Sequence, residues 1–199
     1  MKILIVLFSI LFVGSVYAQQ VPECTGCSTE EETVGKWVQD YRGLRQFLGP
    51  NTVKVFVVEA KDSPSMVMTG YDSIASECHL LLNRSANLIV SDLDRKIALA
   101  HETGHCVALR LGVQTIQEGT TRKGEGFADV WALAWIQLTE SSQTLHSAYE
   151  RLLEMRQMSR RVDPNYNTIL PVRLAGEDLI ARRIPVDPIQ FTLDFMRKQ

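Results

Sequence analysis

Residues 91–112, Ser91-DLDRKIALAHETGHCVALRL-Gly112, decide the reading of this chain. Ser91 or Asp92 can cap a helix whose first turn carries acids, and Gly112 can end it, so the pattern predicts a helix over 92–111. Inside it stands His101-Glu102-Thr103-Gly104-His105, which has the form H-E-x-x-H. Residues four apart on a helix differ by about 40° around the axis, so His101 and His105 point the same way, one turn apart. Neutral imidazoles at that spacing suit one Zn²⁺ ion. Glu102 lies about 100° round from His101; a glutamate so placed leans over the open metal position and can take a proton from water. Buried, hydrogen-bonded core histidines are the plain alternative. Histidine is scarce here, four in 199 residues, and two of the four fall in this motif with the glutamate between them, which favours the metal.

A catalytic zinc normally has three protein ligands and a water. The other residues on that helix face are Ala108, Leu109 and Gly112, so the third ligand must come from elsewhere. A continuation H-x-x-G-x-x-H is excluded by Ala108 and Leu111. After a polar loop, 113–124, a second helix is expected over 125–139. Glu125 and Asp129 stand four apart on it and share a face. Glu125 is the first candidate; Glu118 in the loop and Asp129 itself are the rivals. A plain acidic residue in a first helical turn, favoured by the macrodipole, is the alternative for Glu125.

H-E-x-x-H followed by E-x-x-x-D on the next helix resembles the gluzincin metallopeptidases, the thermolysin type. The resemblance covers residues 92–139. It implies an α+β zincin-like fold, a small sheet packed on the active-site helix with a helical C-terminal half. It also implies one Zn²⁺ ion held by His101, His105 and Glu125, with Glu102 as general base and Asp129 behind a ligand histidine, orienting it. The activity implied is hydrolysis of peptide bonds in a peptide or protein substrate. Two further readings stand beside it: a secreted zinc-binding scaffold without catalysis, and a zinc hydrolase acting on cell-wall peptide. An intact Glu102 favours an enzyme, since a structural site needs no base. The chain after residue 139 is too short for that family's full C-terminal domain. The family's transition-state histidine or tyrosine therefore has no motif here; His146, Tyr149 and Tyr166 are chemically able. The resemblance also implies an edge strand at His79-Leu80-Leu81-Leu82-Asn83 that would hold an extended substrate, against the reading of a plain core strand.

The rest of the chain frames this core. Met1-Lys2, the apolar run 3–13 and Val16-Tyr17-Ala18 read as a cleavable signal peptide over 1–18, too short to span a bilayer. Export to the periplasm or outside the cell is expected, with no membrane anchor after cleavage. Residues 19–29 read as a flexible leader and 30–199 as a single domain, a size able to bury a core. Thr29-Glu30-Glu31-Glu32 opens a helix along which Val34, Trp37, Val38, Tyr41, Leu44, Phe47 and Leu48 fall at helical spacing, stopped by Gly49-Pro50. Strands are expected at 52–59, 65–69 and 78–83. An amphipathic helix is expected at 142–160. The last stretch should be cut into short pieces by Pro164, Pro171, Pro185 and Pro188.

Four cysteines in an exported chain suggest disulfides, Cys24–Cys27 and Cys78–Cys106 being the expected pairs. A redox C-x-x-C should open a helix after a strand, and Cys24–Cys27 lies in a polar tail. The net charge of -2, or -3 once Lys2 is removed with the signal peptide, argues against nucleic acid as a partner.

Overall fold

A computed structural model describes residues 29–49, 53–72, 77–115 and 121–198. The signal peptide, residues 19–28 of the leader and the Cys24–Cys27 pair lie outside them; Thr29 already belongs to the first helix. Among the described residues the chain is a mixed α+β structure, mostly helical, with six α-helices and a three-stranded sheet.

Helix α1 (Thr29–Leu48) buries Val34, Trp37, Tyr41 and Leu44, a stripe spaced 3, 4 and 3 residues apart. Two polar tips on that stripe dock it. The Trp37 indole N–H donates to the Leu88 carbonyl at 3.0 Å, and the Tyr41 hydroxyl donates to the Val53 carbonyl at 2.6 Å. The amphipathic rings thus bury their bodies without orphaning a donor.

The sheet contains β1 (Val53–Val58), β2 (Val67–Asp72) and β3 (Glu77–Asn83) in the order β1-β3-β2. β3 is central, parallel to β1 and antiparallel to β2. This corrects the edge-strand expectation for 79–83: both edges of β3 are already hydrogen-bonded, and the strand is a core strand. Among the described residues the unpaired edges belong to β1 and β2. One face, carrying Val53, Val67, Cys78, Leu80 and Leu82, is buried against the helices. The β1–β2 connection passes the end of β3, where the buried Asn83 amide holds it. Its Nδ2 lies 3.0–3.2 Å from the carbonyls of Ala60, Ser63 and Ser65, and its Oδ1 accepts from the Ala60 N–H. This tether keeps Ser63-Pro64-Ser65 in the turn, so β2 begins at Val67 rather than 65.

Helices α2 (Asp92–Arg110) and α3 (Arg122–Thr139) form the centre. From Gly124 to Ala134 every residue of α3 is buried, because α2, α4 (Ser142–Ser159), α5 (Ile169–Ala181) and α6 (Pro188–Arg197) surround it. A helix apolar on all sides is the sequence signature of that position. The second core joins Ile97, Leu133 and Ile136 to Leu145, Leu152, Val172 and Leu179.

The tail departs from the expected short pieces: α5 and α6 are full helices. Pro171 stands in the first turn of α5 and Pro188 opens α6, positions where a missing backbone N–H removes no helical bond. Among the described residues no helix is long and apolar enough to cross a membrane. Cys78 and Cys106 form a disulfide, Cα–Cα 5.6 Å, tying β3 to α2 one residue after His105.

Candidate metal centre

Two capped helix starts set the register of the site. The Ser91 hydroxyl accepts from the Asp94 N–H, starting α2 so that His101 and His105 fall on its inner face. The Thr121 hydroxyl accepts from the Gly124 N–H, so α3 begins three residues before the expected 125 and Glu125 lies in its first turn. The two helices then cross with almost no gap. A Cβ on Gly104 would lie 2.7 Å from the Ala128 Cα and 3.0 Å from Trp131 Cδ1. Only glycine fits there, and this contact brings the acids of α3 up to the imidazoles of α2.

His101 and His105 present their Nε2 atoms to one another at 3.2 Å, with rings nearly perpendicular. Glu125 faces both: Oε2 is 3.3 Å from His101 Nε2, and Oε1 is 3.3 Å from His105 Nε2. A tetrahedral ion with bonds of about 2.0–2.1 Å separates its ligand atoms by about 3.3–3.4 Å. The two nitrogens stand near that spacing, each faces a different Glu125 oxygen, and one ligand atom from each of the three side chains lies within 4.8 Å of the others, so they could hold a metal ion. All three are buried: Glu125 is 3 % exposed and each histidine 9 %.

Both imidazoles are fixed from behind. Asp129 Oδ1 lies 2.9 Å from His101 Nδ1. Gln114 Oε1 lies 3.3 Å from His105 Nδ1. Each contact suits an Nδ1–H tautomer with Nε2 free for a metal. Gln114 arrives there because Gly112, at φ 68°, reverses the chain and lets the Val113 N–H donate to the Ala108 carbonyl.

The two acids of α3 are thus used differently. Asp129, wholly buried, turns its carboxylate away from the convergence point. It accepts from Arg156 through Nε at 2.8 Å and Nη2 at 2.6 Å, and from the Thr168 hydroxyl at 2.5 Å. Glu118, the other rival for the third position, lies outside the described residues. The Glu102 carboxylate accepts from the Thr69 hydroxyl of β2, 2.7 Å away; the same hydroxyl is 2.8 Å from the Glu102 carbonyl.

Electrostatics follow this layout. Burial would lower His101, but hydrogen bonds to Asp129 and Glu125 outweigh it and raise its pKa from 6.5 to about 9. Burial would raise Glu125, but hydrogen bonds from the two imidazoles hold it well below the carboxylate range. Asp129 is lowered likewise, against its burial, by the Arg156 charge and His101.

Among the tail candidates only Tyr166 meets this network. It sits in a 3-10 turn (Pro164–Tyr166), with the Arg156 guanidinium 5.1 Å from its ring centre. Burial and the nearby Glu125 raise its pKa. His146 is an exposed residue of α4 paired with Glu150 at 3.2 Å, and Tyr149 packs its ring on Gly176 of α5.

Arg156, Thr168, Gln114 and Thr69 escape the sequence reading. One signal existed for Arg156: Leu145, Ala148, Leu152 and Arg156 form the buried stripe of α4, so a cation stands at a core position. No protein-family model, curated protein or solved structure matches the chain.

Proposed function

We propose that this protein is an exported zinc-dependent metallopeptidase. The observation that carries the reading is the convergence of both His Nε2 atoms and the Glu125 carboxylate, with Glu102 next to His101 on the same helix. His101, His105 and Glu125 would hold the ion; two imidazoles and a carboxylate are a donor set of catalytic zinc. When bound, zinc polarises a carbonyl and lowers the pKa of water toward neutrality.

The chain's own groups account for the remaining steps. Glu102 accepts the proton of the attacking water and delivers it to the departing amine. Thr69 holds one Glu102 oxygen by its hydroxyl, leaving the other for the proton transfer. Asp129 and Gln114 keep the imidazole tautomers. Tyr166, half-buried beside the network, would be the donor for negative charge developing on the substrate carbonyl. Because β3 is internal, an extended peptide would pair with the free edge of β2, whose Thr69 touches the base.

The test is metal analysis of the purified mature protein together with cleavage of a peptide library. Glu102→Gln keeps shape and should keep zinc, while hydrolysis falls at least about 100-fold. Near-normal turnover in that variant, at matched zinc content, rejects the mechanism. Stoichiometric zinc with no cleavage would favour the scaffold reading.

A further inference from the structure

Asp129 lies on the far side of His101 from the convergence point, yet four donor atoms are spent on it. His101 Nδ1 and Arg156 Nη2 reach Oδ1; Arg156 Nε and the Thr168 hydroxyl reach Oδ2. Three of the four come from α4 and the residue preceding α5, outside the two helices that carry the motif. Arg156 and Thr168 are both buried, at 6 % and 0 % exposure. A buried guanidinium is costly to desolvate, and it sits on the stripe of α4 that Leu145, Ala148 and Leu152 otherwise fill. Apolar packing alone would be served better by leucine or methionine.

The geometry explains the expense. A two-pronged guanidinium–carboxylate contact fixes the plane of the carboxylate as well as its position. The Thr168 hydroxyl pins the oxygen that does not face His101. With that oxygen held, the remaining one can only point at His101 Nδ1.

We infer that Arg156 and Thr168 are positioning residues of the metal centre: they clamp Asp129 from the C-terminal half so that it holds His101 with Nε2 turned to the ion. This rests on the proposed metal site and adds to it the part of the fold that controls metal affinity. Helices α4 and α5 are then required for the centre even though they supply none of its candidate ligands.

The experiment measures the Zn²⁺ dissociation constant of the full mature protein by competition with a chromophoric chelator. Thermal melting with and without zinc runs alongside. The two variants leave the formal charge unchanged. Arg156→Lys keeps the cation and loses the fork; Thr168→Val keeps the shape and loses the hydroxyl. Loss of a group that orients a ligand typically costs 10–100-fold in metal affinity. Arg156→Lys should weaken zinc binding by about tenfold, and Thr168→Val by at least about threefold. Thr168→Ser should restore most of the latter. The rise in Tm on adding zinc should shrink in step, which a purely structural role would not produce, since that lowers both melts equally. In an Asp129→Asn background Thr168→Val should not change the affinity further by as much as twofold; Arg156 also stands 3.4 Å from Glu125 Oε2 and 3.2–3.4 Å from the His101 ring nitrogens, so Arg156→Lys is read in the wild-type background. Wild-type affinity in both Arg156→Lys and Thr168→Val overturns the inference while the metal site stands. An equal loss for Thr168→Val with and without Asp129 overturns it as well, because the hydroxyl would then act by another route. A wild-type protein that binds no zinc removes the metal reading itself, and this inference with it.

Discussion

Replacing Gly104 with alanine tests whether the α2–α3 crossing sets the metal geometry. The new Cβ would lie 2.7 Å from the Ala128 Cα, 3.1 Å from the Ala128 carbonyl oxygen and 3.0 Å from Trp131 Cδ1. Carbon atoms in contact settle at about 3.5–4.0 Å. Two of the three obstacles are backbone atoms of a helix packed on every side, so no side-chain rotation relieves them. The helices must separate by about 1 Å. Glu125 stands one turn before Ala128 on the same helix and moves with it, while metal–ligand distances tolerate only about 0.2 Å. Overpacking of this kind costs about 1–3 kcal/mol, and alanine in place of glycine within a helix returns about 1 kcal/mol. The fold should therefore survive, with stability in chelator reduced by about 0–2 kcal/mol. Zinc affinity should fall much further, by at least about tenfold. Urea denaturation in chelator gives the first quantity and chelator competition the second. A folded Gly104→Ala protein with wild-type zinc affinity would refute the claim that this contact places the ligands.

Three other outcomes follow from the same structure. The Cys78–Cys106 bridge closes a separation of 28 residues, so the C78A/C106A double variant should lose about 3.5 kcal/mol in denaturant unfolding; a loss under about 1 kcal/mol would contradict this. In metal-free protein, His101 is raised to about 9 from 6.5, chiefly against burial and by Asp129 and Glu125. Its contribution is then complete below about pH 6.5 and lost as pH rises through 9, worth up to about 3 kcal/mol. Glu125 and Asp129, both lowered, act with the opposite sign and lose their contribution on acidification. Urea titrations in chelator should show stability falling from pH 6 to 9.5, and a flat profile across that range would rule the assignment out. Thr69→Val removes the hydroxyl that holds Glu102; hydrolysis should drop about tenfold at unchanged zinc affinity while Thr69→Ser keeps most of it, a hydrogen bond to a charged group being worth about 1.5–3 kcal/mol. Unchanged turnover in Thr69→Val would assign that contact to folding alone.

What could be read from the chain divides by range. His101, Glu102 and His105 share one helix, and helical periodicity alone places them. Glu125 and Asp129 share a second helix, so their common face is also local information. That this face meets the first depends on Gly104 against Ala128, a contact between two residues with no pattern linking them. Strand order is of the same kind. Each strand is recognisable alone, but the placement of β3 between β1 and β2 is a matter of pairing, and residues 79–83 read equally well as an edge strand or a core strand. The tail was misjudged for a different reason. Prolines break helices in their interiors and start them at their first turns, and composition does not separate the two cases for Pro171 and Pro188.

The least legible feature is the unequal fate of two acids one turn apart. Sequence makes Glu125 and Asp129 near equivalents: both carboxylates, both on the face turned to α2. Their surroundings separate them. Asp129 is enclosed by a guanidinium fork, a hydroxyl and an imidazole N–H, so its oxygens are already satisfied by donors. A metal approaching it would have to displace those bonds inside a fully buried site, where each unsatisfied donor is costly. Glu125 carries the longer side chain, and its shortest polar contacts are the two Nε2 atoms that a metal would use; Arg156 Nη2 stands off at 3.4 Å. The division of labour between the acids is therefore written in α4 and at the start of α5, more than twenty-five residues downstream of both. A local motif can name the residues that could hold a metal; which carboxylate would face it is decided by whatever the rest of the fold has already bonded to the other.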